Sequence, residues 1–381
     1  MDNKSGYNST QPATSSGTGK SIYFTVTTDL SYDQRMIRCC TSLAAAGYHV
    51  TLVGRRLRSS VPLTGQPYKQ KRINCFFENG KLFYAEYNTR LFFYLLFKKM
   101  DGICAIDLDT ILPGYFISRI KKIKRVYDAH ELFCEMQEIV TRPAIHRFWK
   151  KIEKLTVPHF FLGYTVNHSI AGEFKKLYRV DYSVIRNIAV LRPTELTQKN
   201  DKFILYQGAV NEGRSFESLI PAMIEVDSRL IICGDGNFMQ QARQLVKNNH
   251  LEHKVIFKGK FLPGELRAIT QSAYIGITLF SDKGLSNYYS LANRFFDYMH
   301  AGIPQLCVDY PVYREINEEI PVAILINDLS PKNIADKLNN LLSNEVVYNE
   351  LQRNCLEARK IYNWQQEEKK LLSFYEGVMN E

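Results

Sequence analysis

One carboxylate stands in the middle of an apolar helical segment. The segment "SNYYSLANRFFDYMHAGIP" runs from residue 286 to 304, and Asp297 lies among its aromatic and aliphatic side chains. Burying a carboxylate is costly unless a partner compensates for the lost hydration. Asp297 is therefore expected either to face water or to bind a ligand.

Two strand-like segments of the second half end in features that favour phosphate binding. After "FILYQG" the chain places an arginine near the start of a helix, where a guanidinium and a helix N-terminus both attract phosphate. After "RLIICG" comes a turn of residues with no side chain or a short one, which lets a ligand approach the backbone. The residues at these two strand ends are Gly208, Arg214, Gly234, Asp235 and Gly236.

The helix that contains Asp297 offers a further anion site at its start. Its first free N–H groups are expected near Leu291, Ala292 and Asn293, and free N–H groups at a helix start bind anions. Asp297 lies one to two turns further on, about 6 to 9 Å along the helix axis. A ribose fits that gap with its two hydroxyl groups on Asp297, so the pattern predicts a site for a sugar beside a diphosphate.

The order of apolar segments predicts the scaffold that holds these residues. Short apolar strands alternate with helices over most of the chain, which is typical of parallel sheets covered by helices on both faces. We predict two Rossmann-like, doubly wound α/β domains facing across a cleft, with ligands at the carboxyl ends of the strands. The predicted parts are a Ser/Thr/Gly-rich disordered tail (1–19), a first domain (20–195), a second domain (196–363) and a final helix (364–381).

Two loops of the first half carry candidate site residues. One follows the strand-like "SIYFTVTT" and contains Asp29, Asp33 and Arg35; the other follows "RVYDA" and contains Asp128 and His130. Both loops lie at carboxyl ends of predicted strands, so both are expected to face the cleft. Structural roles are the alternatives: Asp33 and Asp128 can each cap a helix, and His130 can be an ordinary hydrogen-bonded histidine.

Composition limits the kind of protein and its location. With 381 residues, of which 45% are hydrophobic and 23% charged, the chain is ordinary globular material. Its eight cysteines show no C-x-x-C spacing, which favours a reduced, cytoplasmic protein. The longest apolar run, "LFFYLLF", is far shorter than the roughly 20 residues that span a bilayer.

The basic residues are concentrated in the first half of the chain, and the whole carries a formal charge of +10. In "YFISRIKKIKR" apolar and basic side chains fall mostly on opposite helical faces, a pattern that suits an anionic membrane surface. A surface helix that packs its apolar side on its own domain is the alternative. Nucleic acid is not expected as a partner, because no nucleic-acid-binding motif accompanies the charge.

Several motifs together resemble the GT-B-fold glycosyltransferases of the group 1, or family 4, type. They are "GDGN", "VIFKGKFLPGEL", "NRFFDYMHAGIP" and "NWQQEEKKLLSFYEG", and the resemblance extends from about residue 21 to residue 375. It implies transfer of a hexose-type sugar from a nucleotide diphosphate sugar to a glycan or lipid-linked acceptor, with retention of anomeric configuration and without a metal. It also implies cell-surface polysaccharide or glycoconjugate synthesis and a final helix that crosses back to the first domain. The basic helical face and "RLFFYLLFKK" suit a lipid-linked acceptor at the inner face of the membrane.

The resemblance implies roles for individual residues. Arg214 falls on the Lys of a "G-R-x(4)-K" element that holds the diphosphate, and Asp297 on the second of two acids, which binds the ribose. His130 falls on a histidine that reaches the donor sugar near its anomeric carbon, and Asp128 is the neighbouring catalytic candidate. The loop with Asp29 is used by the family against the donor phosphate and the acceptor.

Two positions depart from the family pattern. Ala209 stands where the family has an Arg, and Tyr289 stands where the first acid is expected. Lys283 and Arg294 are candidates to replace the lost cation. "SLANRFFDY" is closer to a branch with "L-P-N-K-x-F-E-Y", in which Arg294 falls on the Lys and its preceding residue on the Asn.

Other functions are weighed against this hypothesis. A protein that binds a nucleotide-sugar without catalysis, and a nucleotide-sugar epimerase, are the alternatives on the same fold. The motif "DLD" (Asp107, Asp109) matches the D-x-D that holds a metal in GT-A-fold transferases, but we interpret it as a pair of strand-end residues. A dehydrogenase is excluded, because the first strand is not followed by G-x-G-x-x-G.

Overall fold

The computed structural model describes residues 19–31, 33–193 and 201–380. The predicted tail, apart from Gly19, and the predicted domain boundary at residue 195 lie outside the described residues. Both stay predictions.

The described residues form thirteen strands and fifteen α-helices. The strands are β1 (Ser21–Thr25), β2 (His49–Arg56), β3 (Lys69–Asn74), β4 (Gly102–Ile106), β5 (Lys124–Ala129), β6 (Leu162–Thr165), β7 (Ser183–Val184), β8 (Ile204–Gln207), β9 (Leu230–Cys233), β10 (Val255–Gly259), β11 (Ile275–Thr278), β12 (Gln305–Val308) and β13 (Ala323–Ile326). The helices are α1 (Gln34–Ala45), α2 (Gly80–Leu96), α3 (Ile111–Lys121), α4 (Gln137–Val140), α5 (Pro143–Thr156), α6 (His168–Tyr178), α7 (Phe216–Ala222), α8 (Met239–Asn248), α9 (Pro263–Ser272), α10 (Leu285–Tyr288), α11 (Asn293–His300), α12 (Pro311–Glu319), α13 (Pro331–Ser343), α14 (Glu345–Ile361) and α15 (Trp364–Asn380).

The strands form two sheets. The first has seven strands in the order β3-β2-β1-β4-β5-β6-β7, and the second has six in the order β10-β9-β8-β11-β12-β13. Every pair in the second sheet is parallel, and β1 is parallel to both of its neighbours in the first. In each sheet the order reverses beside a central strand, at β1/β4 and at β8/β11, which is where ligands bind in doubly wound folds. The predicted fold class is confirmed.

The central strands are buried because they are covered by helices on both faces. All five residues of β4 and all four of β8 are buried, which explains why these strands are continuous apolar runs rather than alternating ones. Helix α11 is held in the same way, since Phe295, Phe296 and Met299 are fully buried in the core of the second sheet. The polar residues between them are thereby fixed relative to β8.

The described chain divides into two compact units. One contains the residues up to Val126 together with those from Leu371 onward, and there Tyr375 of α15 packs against Phe24, with ring centroids 5.8 Å apart. The other is Tyr127–Lys370, in which the Trp364 N–H donates to the Ala189 carbonyl at 3.0 Å. Helix α15 therefore begins in one unit and ends in the other.

A partly buried histidine at the end of α11 makes the stability of the fold depend on pH. A ring nitrogen of His300 lies 2.7 Å from the Tyr362 carbonyl, and burial lowers the pKa of His300 from 6.5 to about 4. Between these values the unfolded chain binds the proton more readily than the folded protein does. Stability should therefore fall as the pH decreases from 6.5 to 4, by up to about 3 kcal/mol from this group.

The variant His300→Gln, which keeps a donor for the Tyr362 carbonyl, should flatten this pH dependence. Urea unfolding followed by circular dichroism between pH 4 and pH 7 measures it. His253→Gln, at an exposed histidine, is the matched control and should show the same pH dependence of stability as the parent protein. An equally steep profile in His300→Gln would show that the acid sensitivity arises elsewhere.

Candidate active site

Two guanidinium groups flank one aromatic ring at the carboxyl edge of the second sheet. The Cζ atom of Arg214 lies 4.5 Å from the centre of the Phe280 ring, and that of Arg294 lies 4.6 Å from the same centre. Arg294 also lies over the ring of Tyr206, at 4.5 Å. Aromatic faces stabilise cations without neutralising them, so both charges stay available to a further partner.

Arg294 is buried with much of its hydrogen-bonding capacity unused. The residue is 7% exposed, and Nη1 donates to the Gln207 carbonyl at 3.1 Å. Its Nε and Nη2 atoms have no hydrogen-bond partner among the described residues, and neither does the buried Oγ of Ser215. A buried cation with unpaired donors is unfavourable by itself. The arrangement therefore favours an anion as the missing partner.

Mutual repulsion of the two cations strengthens the same conclusion. Burial lowers the pKa of the Arg214 guanidinium, and the neighbouring charge of Arg294 lowers it further. Arginine nevertheless stays protonated, because its unperturbed pKa is so high. Two like charges in a poorly hydrated place are stabilised by a ligand with at least one negative charge between them, such as a diphosphate.

The loop after β8 leaves room for Arg294. A Cβ atom at Gly208 would lie 3.0 Å from Arg294 Nη1, and the backbone there has a φ of +123°, which favours glycine. Arg214 lies two residues before α7 rather than at its start, with Ser215 between them in the left-handed conformation. The guanidinium of Arg294 thus occupies the strand end where Ala209 provides no charge.

Asp297 is half-buried and is held by an amide from β8. Gln207 Nε2 donates to Asp297 Oδ2 at 2.9 Å, and Gln207 Oε1 accepts from the Thr270 hydroxyl at 2.7 Å. Gln207 therefore orients Asp297 from a buried position. Since Asp297 follows Arg294 by three residues in α11, both project from neighbouring positions on one side of the helix.

The start of α11 differs in detail from the sequence prediction. The Ala292 N–H, expected to be open to an anion, donates to the Tyr313 hydroxyl at 3.0 Å. Leu291 packs against the core of the second sheet, and Asn293 is exposed. The cation of Arg294, rather than the N–H of Ala292, is the dominant anion-attracting group at this end of the helix.

The glycines of the "GDGN" turn are explained by packing between loops. A Cβ atom at Gly234 would lie 1.8 Å from the Gly208 carbonyl oxygen, and one at Gly236 would lie 2.2 Å from Asn211 Oδ1. Asp235 lies on the surface, where its carboxylate accepts from the Gly236 N–H and pairs with Lys260 at 3.6 Å. What approaches the backbone here is the loop after β8.

His130 and Asp128 form a pair at the carboxyl end of β5. His130 Nε2 lies 3.1 Å from Asp128 Oδ2; Asp128 is completely buried and the histidine ring is partly exposed. A buried carboxylate beside one ring nitrogen fixes the orientation of the ring. Asp128 therefore orients His130, and it caps no helix, since the next helical turn begins at Phe133.

The chain after His130 reaches the loops around Arg214 within the unit Tyr127–Lys370. A Cβ atom at Gly213 would lie 3.0 Å from Gln137 Oε1, and one at Gly284 would lie 3.1 Å from the Glu135 carbonyl oxygen. The structure thus brings the segment after β5 together with the ends of β8 and β11. Candidate residues from both halves of the chain share this edge.

The candidates of the first loop have structural partners in the other unit. Asp29 is buried and accepts hydrogen bonds from Arg72, from Ser60 and from the Ser31 N–H. Asp33 caps α1, accepting from the Met36 N–H at 3.1 Å, and Arg35 is buried at the start of that helix. The capping alternative for Asp33 is therefore the role that the structure shows.

The D-x-D residues lie at the carboxyl end of β4. Asp107 has a φ of +52°, and Asp109 accepts a hydrogen bond from the Thr27 hydroxyl at 2.5 Å. In the described part of the chain, no group of three or more His, Cys, Asp or Glu side chains is placed to hold a metal ion.

Comparison with known proteins identifies the second half of the chain. A family model described as glycosyl transferases group 1 matches residues 188–361. This segment is a group 1 glycosyl transferase domain. It contains Arg214, Arg294 and Asp297. No curated protein matches the sequence.

Solved glycosyltransferase structures share the fold over almost the whole chain. Sucrose-phosphate synthase from Thermosynechococcus elongatus has a TM-score of 0.81 at 15% identity, covering 95% of this chain and 99% of that one. HepE of Anabaena, solved with UDP and glucose, has a TM-score of 0.73 at 12% identity, covering 94% of this chain and 100% of that one. WaaG, a glycosyltransferase involved in lipopolysaccharide biosynthesis, has a TM-score of 0.72 at 13% identity, covering 92% of this chain and 98% of that one. The GT-B fold of this chain is confirmed.

Several contributors to the site were not predicted from the sequence of this protein. Only their contacts in the structure place four residues at the site, namely Gln207, Tyr206, Phe280 and Gln137. For Gln207 a signal existed, because an amide at the end of an otherwise apolar buried strand needs a partner. The aromatic residues carry no such signal, since buried aromatic side chains are ordinary core material.

Proposed function

We propose that this glycosyl transferase moves a hexose-type sugar from a nucleotide diphosphate sugar to a glycan or lipid-linked acceptor. The observation that carries the proposal is the pair of guanidinium groups on Phe280, with unpaired donors on Arg294 and with Asp297 one turn further along α11. A diphosphate supplies the anion that the pair lacks, and a ribose supplies hydroxyl donors to the carboxylate.

The same cations serve catalysis as well as binding. When the bond between the anomeric carbon and the diphosphate breaks, negative charge develops on the departing phosphate. Arg214 and Arg294 stabilise that charge more strongly in the transition state than in the ground state, which is the condition for catalysis. The leaving phosphate accepts the proton of the acceptor hydroxyl on the same face of the sugar, so the anomeric configuration is retained without a protein nucleophile.

His130 contributes orientation at the reacting end of the donor. Its ring is partly exposed, and Asp128 holds it from the buried side. A hydrogen bond from this ring to a hydroxyl of the donor sugar places the anomeric carbon for attack. His130 and Asp128 thus act on the sugar, while Arg214 acts on the diphosphate.

We expect the reaction to need no metal ion. The two guanidinium groups supply the positive charge that a divalent cation supplies at diphosphates in other enzymes. Transfer should therefore persist in the presence of EDTA. Complete loss that is restored by Mn²⁺ or Mg²⁺ would instead assign a metal to Asp107 and Asp109.

A thermal-shift screen against nucleotide-sugars tests the proposed function. HepE and TarM of S. aureus have both been solved with UDP bound, so UDP-sugars come first, followed by GDP- and ADP-sugars. A true donor at 100 times its Kd should stabilise the protein by about 2.7 kcal/mol. If no nucleotide or nucleotide-sugar shifts the melting temperature, the proposal is wrong.

A transfer assay separates an enzyme from a protein that only binds the donor. The alternative deserves this test because Tyr289 occupies the place of an expected acid. Radiolabelled donor with heat-inactivated protein as the control should show release of nucleoside diphosphate only with the active enzyme. Tight donor binding without release would favour the non-catalytic alternative.

We further propose that the protein works at an anionic membrane surface on the cytoplasmic side. No helix in the described ranges is long and apolar enough to cross a bilayer. At the ends of α2 and α3, Phe97 is 80% exposed and Ile120 is 57% exposed, whereas Ile117 is buried. The two helix ends are joined by a hydrogen bond from Lys121 Nζ to the Leu96 carbonyl at 2.8 Å. Exposed apolar side chains beside lysines suit the interface of an anionic membrane.

Vesicle co-sedimentation should detect this association. Binding to vesicles with phosphatidylglycerol is expected at low salt, and replacing Phe97 and Ile120 together by serine should weaken it by roughly tenfold or more, because two apolar groups no longer insert. Val346→Ser, at a similarly exposed residue of α14, is the control. Equal sedimentation with pure phosphatidylcholine, or no binding at low salt, would contradict the proposal.

A further inference from the structure

The residue at the place of the missing acid is anchored through its backbone. Asn167 Nδ2 donates to the Tyr289 carbonyl oxygen at 2.8 Å, and the Tyr289 ring packs beside Tyr288 with centroids 5.3 Å apart. A tyrosine in this position offers one hydroxyl on a rigid ring instead of two carboxylate oxygens. The hydroxyl groups of the transferred sugar therefore need other partners.

Two amide side chains meet at the residue that precedes Arg214. A Cβ atom at Gly213 would lie 3.0 Å from Gln137 Oε1 and 3.1 Å from Asn287 Nδ2. Asn287 lies in the short helix α10, which ends just before Tyr289, while Gln137 begins α4 in the segment that follows His130. These amides thus come from the two chain segments that flank the reacting end of the proposed donor.

The Gln137 amide has an unused acceptor in this place. Its Oε1 atom is buried and has no hydrogen-bond partner among the described residues. Among the described residues the Asn287 amide donates one long hydrogen bond, 3.3 Å from Nδ2 to the Lys283 carbonyl, so a second N–H of the same group can still donate. A buried acceptor without a partner is unfavourable unless something else supplies a donor.

We propose that Gln137 and Asn287 bind hydroxyl groups of the transferred sugar, replacing the carboxylate that is absent at residue 289. An acceptor and a donor side by side match the donor and acceptor of neighbouring sugar hydroxyls. This inference rests on the proposed function, since the sugar reaches Gly213 only when its diphosphate is on Arg214.

The experiment separates the sugar contact from the nucleotide contact. Calorimetric titration gives the Kd of UDP and of UDP-glucose, and of GDP and GDP-mannose, for the full chain. In the parent protein the sugar should tighten binding over the nucleotide alone. The gain is the Kd of the nucleotide divided by the Kd of its nucleotide-sugar. In Gln137→Ala and in Asn287→Ala this ratio should fall about tenfold. The Kd of UDP or GDP should stay unchanged, because the arginines that bind the diphosphate are intact.

Two further variants make the outcome decisive. Gln137→Glu, which restores an acid near the sugar, should keep most of the gain. Gln244→Ala, at an exposed amide bonded to Asn248, should behave as the parent. If the gain survives in both alanine variants, or if the sugar adds no affinity in the parent, this inference is overturned while the proposed nucleotide site stands. If no nucleotide binds the parent, the proposed function fails as well.

Discussion

Replacing Arg294 by methionine should lower kcat/KM for sugar transfer by about 10³-fold, while making the empty protein more stable. The loss follows from removing one of two cations that face the leaving diphosphate. The gain follows because a buried cation with unpaired Nε and Nη2 atoms gives way to an apolar side chain of similar length. Steady-state kinetics and urea unfolding, both on the same preparation, measure the two effects.

The opposite signs of these effects distinguish a ligand-binding arginine from a structural one. If Arg294 stabilised the fold, its replacement would lower both the stability and the activity of the protein. Arg294→Lys should retain part of the activity, since it keeps the charge but loses the planar pair of donors. Arg243→Met is a matched control, because Arg243 also lies over a phenylalanine ring, at 4.6 Å, but on an exposed helix face. Unchanged kinetics in Arg294→Met would exclude the diphosphate role.

Replacing Asp297 by asparagine should weaken binding of the nucleoside diphosphate by about 10²-fold. A carboxylate that accepts from two ribose hydroxyls makes hydrogen bonds worth roughly 1.5–3 kcal/mol each, and an amide reproduces only part of this. The specific measurement compares UDP with 2′-deoxy-UDP, or the corresponding guanosine pair. The parent should discriminate between ribose and deoxyribose, and Asp297→Asn should bind both alike.

Two variants connect this result to the geometry. Gln207→Leu removes the amide that orients Asp297 but leaves its charge, so we expect a smaller loss, about tenfold, with some discrimination retained. Asp336→Asn removes a surface carboxylate that pairs with Lys332 and should change nothing. Undiminished discrimination in Asp297→Asn would place the ribose elsewhere.

Helix α11 explains why these two predictions belong together. Its buried residues Phe295, Phe296 and Met299 fix it in the core, and two of its charged residues, Arg294 and Asp297, stand three positions apart. That spacing places a cation and a carboxylate on one side of the helix. The core packing of one short helix therefore sets the distance between the diphosphate and ribose contacts.

The sequence was sufficient for the fold and for the principal candidates. Alternating apolar strands and helices predicted two parallel sheets, because burial on both faces leaves a continuous apolar signature in the strands. Asp297 was predicted because a charge within an apolar helix demands an explanation, and Arg294 was a candidate because the family resemblance places it on a lysine. These inferences depend only on neighbours along the chain, which periodicity and composition report directly.

Tertiary structure alone decided the partners of these residues. The side chain of Gln207 reaches Asp297 across 90 positions of sequence, and Phe280 lies under both arginines although nothing near it in the chain marks it as part of a site. The tertiary structure also showed that Gly234 makes room for the Gly208 carbonyl and that the Tyr313 hydroxyl accepts a hydrogen bond from the Ala292 N–H. Local sequence cannot contain such facts, because parallel strands bring together residues separated by whole helices, and contacts of this kind follow from how the elements pack.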